Sequence, residues 1–254
     1  MPSPVFKPSP ARLLSRGLPV REARWRPGLA TQPFHSEIFA PAGEASGAGL
    51  ALALARDALT SAPEGEGEER RAVLWVQDVK AIRLGGRPCL AGLPPDLRHR
   101  LIHVAAPTPE DALFALEEGL KCRDLACVIG EIAGNPRALS FTASRRLSLT
   151  AERHGVRLWL VRLDAGPDLS SARMRWQVRA APSSPSRWNA AAPGAATWHA
   201  ELFRARVHAP GQWILSDDNA ALRVRPDPAL AAAPDPRHLA RATVGRSLAA
   251  RVRA

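Results

Sequence analysis

The sequence predicts an α/β protein: a mostly parallel sheet flanked by helices, with antiparallel strands along its C-terminal edge. Three observations predict it. Apolar runs at 72–77 (AVLWVQ), 101–105 (LIHVA) and 125–129 (LACVI) have the character of strands buried on both faces, and 156–163 (VRLWLVRL) reads as a fourth strand. Helical patterns stand between them at the spacing that crossover connections need. Beyond Gly166 the period becomes two: Met174, Trp176 and Val178 alternate with Arg173, Arg175, Gln177 and Arg179, a half-exposed strand.

The elements follow in chain order. Residues 1–33 hold seven prolines and read as an extended basic arm, with Trp25 as an anchor. A core spans 34–225. It opens with a strand at 35–40, a helix rich in Ala and Leu at 47–59, and an acidic loop at 61–69 (SAPEGEGEE). After the strands at 72–77 and 101–105 comes a clear helix start: Thr108 can cap, Pro109 suits the first helical position, and Glu110 and Asp111 meet the positive end of the dipole. Leu113, Leu116 and Leu120 then share one face. A helix at 142–154 buries Leu147 and Ala151 and stops at Gly155, which suits the left-handed cap position. The runs 197–208, 212–216 and 221–224 read as antiparallel edge strands of the same sheet, with Asp217-Asp218 in a solvated turn. Residues 226–254 begin as a Pro/Ala linker and end in a weak basic helix, with Val244, Leu248 and Val252 on one stripe.

Composition narrows the function. Of 254 residues 46% are apolar, which excludes a wholly disordered chain. No uncharged apolar run approaches the roughly 18 residues of a membrane span, and the N-terminus lacks the apolar core of a secretory signal, so a cytoplasmic protein without membrane contact is expected. Cys89, Cys122 and Cys127 form no CxxC pair and are expected to be buried thiols; no metal site and no cofactor are expected. His35, His103 and His154 lie in or beside apolar elements and read as packed side chains. Trp75, Trp159, Trp176 and Trp213 lie within strands and read as core.

The net charge of +11 is unevenly placed. Residues 1–30 are net +5 and 235–254 net +4; residues 37–131 are net −5, whereas 132–209 are net +8. Basic tails and a basic half fit an anionic partner, nucleic acid or an acidic protein surface. The 32 arginines against three lysines also fit the bias of GC-rich coding.

A strand, a turn of small residues and a helix at 35–59 form the setting of a phosphate-binding loop. Matching Gly47 to the second glycine of GxxxxGK[ST] puts Gly43 inside the loop, Ala48 at the lysine and Gly49 at the hydroxyl. The lysine that serves the outer phosphates and the hydroxyl that holds Mg²⁺ are both missing, and Glu44 adds a negative charge. The metal-holding acid at the end of an apolar strand is expected at Gly130, with Glu131 one residue late and on the opposite side. The sequence therefore carries the frame of a nucleotide site without its chemistry, and no GxSxG or paired-carboxylate arrangement replaces it.

The order of elements resembles the RecA ATPase core, and the segments HSEIFAPAG, AVLWVQD, LIHVAAPTPEDALFALEEGLKCRDLACVIGEI and LSFTASRRLSLTAERHGVRLWLVR, with WQVRAAPS and the PGQW turn at 210–213, resemble the ImuA family. These segments cover roughly 35–224. The most specific are EDALFALEEGL and the stretch carried by Leu139, Thr142, Leu147, Leu149, Ala151, Glu152 and Gly155. One departure is the short stretch at 26–36, where family members carry a longer run rich in Gly and Leu. The resemblance implies a RecA-like fold and a non-enzymatic, SOS-induced accessory protein of translesion DNA synthesis and mutagenesis. An ImuB-like protein is the implied partner, with an error-prone polymerase as an indirect one and RecA as a candidate. SulA-type cell-division inhibitors, of the same lineage, give the alternative function. The RecA arrangement further implies DNA-facing loops at 130–140 and 164–172, hence Arg137, Arg145 and Arg146 as candidates for a weak, nonspecific DNA contact. The family's use of its C-terminal region implies partner binding by Arg241, Val244, Leu248, Arg251 and Val252.

Overall fold

A computed structural model describes residues 32–60, 70–185, 189, 191–218 and 221–225. Trp25 and most of the expected arm, the acidic loop at 61–69, and the tail with Arg241, Val244, Leu248, Arg251 and Val252 lie outside the described residues.

The strands are β1 (His35–Ala40), β2 (Ala72–Asp78), β3 (Leu101–Ala106), β4 (Leu125–Ala133), β5 (Arg157–Leu163), β6 (Met174–Ala180), β7 (Thr197–Ala205), β8 (Gly211–Asp218) and β9 (Ala221–Arg225). The helices are α1 (Ser46–Thr60), α2 (Val79–Gly85), α3 (Pro109–Lys121) and α4 (Phe141–His154). The nine strands of the described residues join one sheet in the order β3-β2-β4-β5-β1-β6-β7-β8-β9. Pairing is parallel from β3 through β1 to β6, and antiparallel from β6 to β9. The expected fold class is observed, and it is consistent with a RecA-like α/β core.

Local chemistry sets the boundaries. Thr108 Oγ1 accepts from the Asp111 amide and Pro109 opens α3; Ser140 Oγ accepts from the Ala143 amide at the start of α4, and Gly155, at φ 72°, ends it. Two cores form on the two sheet faces. On one, α1 packs on Ile38, Trp75, Ile129, Trp159, Val161, Trp176 and Trp198. The small residues of α1 suit this bulky face: a Cβ on Gly49 would stand 3.1 Å from the Trp198 ring, and one on Gly47 would stand 2.7 Å from Val161 Cγ1. On the other face, α3 and α4 cover Leu74, Val76, Val128, Ile132, Leu158 and Leu160. Among the described residues no helix is long and apolar enough to cross a membrane.

Several expectations are corrected. β6 is not a half-exposed strand: it lies between β1 and β7, and Arg175 is buried against Glu37 of β1 (Nε to Oε2, 2.8 Å). Asp217 belongs to β8 rather than a solvated turn, and accepts from Arg56 of α1 at 3.3 Å. Of the three thiols only Cys127 is buried, because Cys89 and Cys122 fall in connections while Cys127 lies inside β4. Trp213 is only partly buried, packing edge-on to Trp176, whereas Trp198 is a core residue the pattern did not single out.

Candidate functional site

The loop after β1 and the C-terminal ends of β2 and β4 surround a cavity of about 230 Å³. Ala42, Glu44, Ala45 and Ala48 line one side, Trp75, Gln77 and Glu131 another, and Gly86, Arg87, Pro88 and Cys89 complete the lining. The ends of parallel strands next to a point where the strand order turns back are where open α/β sheets place ligands, so the cavity occupies the expected place.

The loop itself is tied down by carboxylates. The Ala42 amide donates to Asp164 Oδ1 at 2.9 Å, with Asp164 in the left-handed region (φ 47°) at the end of β5. The Ala180 amide, at the end of β6, donates to Glu44 Oε2 at 2.8 Å. Glu44 therefore anchors the loop to β6 and leaves a carboxylate beside the helix N-terminus, the position where an anion would otherwise gain from the dipole. At the lysine counterpart, Ala48 contributes only a methyl to the wall. Gly47 is held by space: its Cβ would also meet Ala40 Cβ at 2.8 Å, whereas one on Gly43 would meet nothing within 4 Å.

The metal position differs from its sequence expectation. β4 continues to Ala133, so Gly130 and Glu131 both lie within the strand. Cys127, Ile129 and Ala133 share the α1 face, and Glu131 stands on that face, lining the cavity. Gly130 is on the other face, where a Cβ would stand 2.9 Å from Leu116 and 3.0 Å from Leu160. The acid that faces the loop is therefore Glu131, and Gly130 is the close approach of α3 to the sheet. Two alternating core positions, Cys127 and Ile129, carried the signal for this assignment.

Glu131 is 4% exposed, and Trp75 Nε1 donates to its Oε1 at 2.6 Å. Burial pushes its carboxyl above the usual range; hydrogen bonds from Trp75 and Gln77 oppose that shift, and the nearby Asp78 charge adds to it. Gln77 reaches His103 of β3 at 2.9 Å, and burial followed by the Arg87 charge lowers the His103 pKa. The lining holds two carboxylates, Glu44 and Glu131, and one basic side chain, Arg87, with Ala48 and no lysine on the helix side. Among the described residues no group of three His, Cys, Asp or Glu side chains is placed to hold a metal ion.

A second polar system, not anticipated from the sequence, lies on the opposite sheet face. His35 Nδ1 is 2.7 Å from Ser148 Oγ, Ser148 is 2.6 Å from Ser171 Oγ, and Ser144 is 2.8 Å from Ser170 Oγ. Ser170 Oγ donates to Glu37 Oε1 at 2.8 Å, and Glu37 pairs with Arg175. Arg175 also lies over the Phe39 and Phe203 rings, and Asp168 approaches both Arg162 (3.5 Å) and Arg175 (3.7 Å). This system fastens the β5–β6 connection to α4 and β1. It contains serines, a histidine and a carboxylate, but they are spread along a structural chain and buried.

Of the arginines expected at DNA, Arg137 is exposed in the loop after β4. Arg145 and Arg146 lie one turn into α4 on its outer side, where Arg146 pairs with Glu117 of α3. All three side chains are exposed, Arg137 in the loop and the other two on the helix that follows it.

Fold and cavity together define an α/β protein consistent with a RecA-like core. Over 131 aligned residues, 48% of this chain and 52% of the relative, the chain is 33% identical to Protein ImuA of Caulobacter vibrioides, in two strains of that organism. This identity supports membership of the ImuA family, as the sequence resemblance implied. The chain spans about half the length of the curated relatives it matches. No family model matches it.

Proposed function

We propose that this chain is a non-enzymatic accessory protein of SOS-induced, error-prone translesion DNA synthesis. It works beside an ImuB-like protein and, through it, an error-prone polymerase. The observation that carries the reading is the cavity after β1: Ala48 stands at the lysine counterpart, and Glu44 and Glu131 line the space an anionic cofactor would need. Similarity to Protein ImuA supports the biological setting. A RecA-like frame whose nucleotide chemistry is absent serves as a scaffold for protein contacts. Arg137, at the strand ends, is the proposed weak DNA contact, and the basic tail at 235–254 the proposed contact with the ImuB-like partner.

Two measurements test the reading. Purified full chain should hydrolyse Mg²⁺-ATP no faster than background, with or without single-stranded DNA. Turnover that Glu131→Gln abolishes would overturn the non-enzymatic assignment. Affinity capture from DNA-damaged cells should recover a polymerase-like protein lacking catalytic residues; recovery of a tubulin-like division protein instead would favour the cell-division reading.

A further inference from the structure

The outer surface of the α3/α4 layer is unpartnered and complementary to itself. Along α3, Glu110, Phe114 and Glu118 recur every four residues on the exposed side, and Phe114 is 66% exposed. Along α4, Phe141, Arg145, Leu149 and Arg153 recur in the same way, with Phe141 47% and Leu149 53% exposed. Residues four apart on a helix share one face, so one stripe reads acid–aromatic–acid and its neighbour aromatic–base–leucine–base. Among the described residues Glu110, Arg145 and Arg153 form no ion pair, while Glu118 is met by Lys121 of its own helix at 2.6 Å. The buried sides of both helices are already spent on the sheet, so these exposed apolar side chains do nothing for the fold.

We propose that this layer is the interface of a two-fold homodimer. α3 and α4 lie side by side, and because both cross between parallel strands they run in the same direction. A two-fold axis running along the helices and between them lays α3 of one copy over α4 of the other, twice by symmetry. Each acidic stripe then faces a basic one, and Phe114 reaches the Phe141–Leu149 stripe. Other occupants satisfy half of the surface. Nucleic acid complements α4 and is repelled by α3. The basic ends of this chain, net +5 over 1–30 and +4 over 235–254, complement α3 and are repelled by α4. Two helices of 13 and 14 residues offer a footprint of about 20 by 20 Å. That is about half the ~800 Å² per partner of a standard interface, so the dimer is weak and depends on concentration.

Sedimentation velocity of the full chain at low salt tests this. The wild-type mass should rise from monomer towards dimer with concentration, and fall back with added salt. A chain with Glu110→Arg and Glu118→Arg should stay monomeric, as should one with Arg145→Glu and Arg153→Glu. Mixed in equal amounts, these two should associate, because each then presents the sign its partner lacks; that reassociation also shows both are folded. Phe114→Ser, with charges intact, should weaken the dimer at least several-fold. A wild-type chain that is monomeric at every concentration overturns the proposal, as does a mixture that stays monomeric. If the α4 reversal leaves sedimentation unchanged but abolishes binding of a single-stranded oligonucleotide, the face is a nucleic-acid contact and the proposal fails.

Discussion

His35 is 1% exposed, and its imidazole is held neutral by where it lies. Burial pushes its pKa down to about 3, the Arg175 charge adds to this, and Glu152 opposes it. A folded-state pKa below the unfolded value of 6.5 means that the unfolded chain binds more protons between pH 6.5 and 3. His35 stability is therefore complete above pH 6.5 and is lost as pH falls through that window, by about 2 kcal/mol at pH 5. Glu131, whose carboxyl is raised, acts in the opposite sense and offsets part of the loss at the acid end. In urea titrations at pH 7.5 and pH 5, the wild type should lose stability on acidification, and His35→Asn should lose distinctly less. An equal loss in both chains would show that His35 is not the titrating group. The sequence marked His35 as packed, but not the serines around it. Ser144, Ser148, Ser170 and Ser171 are polar letters without periodic meaning until α4 and the β5–β6 connection meet. Arg175 was misread for a related reason. Strict alternation describes a strand with one wet face, whereas β6 is flanked on both sides and meets Glu37 across its register.

At the scale of elements, the legible boundaries were those with local chemistry. Thr108-Pro109 and Gly155 fix their helix ends through caps that need no tertiary context, and the apolar runs fix β2 to β5. α2 was not legible. It has seven residues, too few for a helical period, and it exists because Asp78 Oδ1 accepts from the Ala81 amide at 2.6 Å at the end of a buried strand. The end of β4 was also read too short, because Gly130 resembles a strand stop while here it admits Leu116 and Leu160. The loop after β1 gives a test of what its glycines are for. If Gly47 remains for packing rather than for an anion, Gly47→Ala must push α1 off Val161 and Ala40 and cost about 1–3 kcal/mol, the usual range for overpacking. Gly43→Ala, which meets open space, should change stability little. Thermal melts of the two variants decide it: equal midpoints would mean that α1 does not press on β5 as described.

At the scale of the whole molecule, charge and topology point to one division of labour. The sheet ends at β9, whose Leu222 is buried under the α1 side of the core. The chain beyond contributes Arg237, Arg241, Arg246, Arg251 and Arg253 around the stripe Val244, Leu248, Val252. By charge alone, five arginines complement an acidic partner surface. If this segment is the contact with the ImuB-like protein, deleting 234–254 removes none of the described strands and should leave the thermal midpoint within about 1–2 °C of the intact chain, since a ΔΔG near 1 kcal/mol shifts a chain of this size by roughly 2–4 °C. The same deletion should abolish co-purification with the ImuB-like protein and suppress damage-induced mutagenesis. It should leave the α3/α4 dimer intact, because the two surfaces share no residue. A truncated chain that keeps its partner at unchanged affinity would move that interface onto the core, and the exposed Arg137 rim would be the next surface to test.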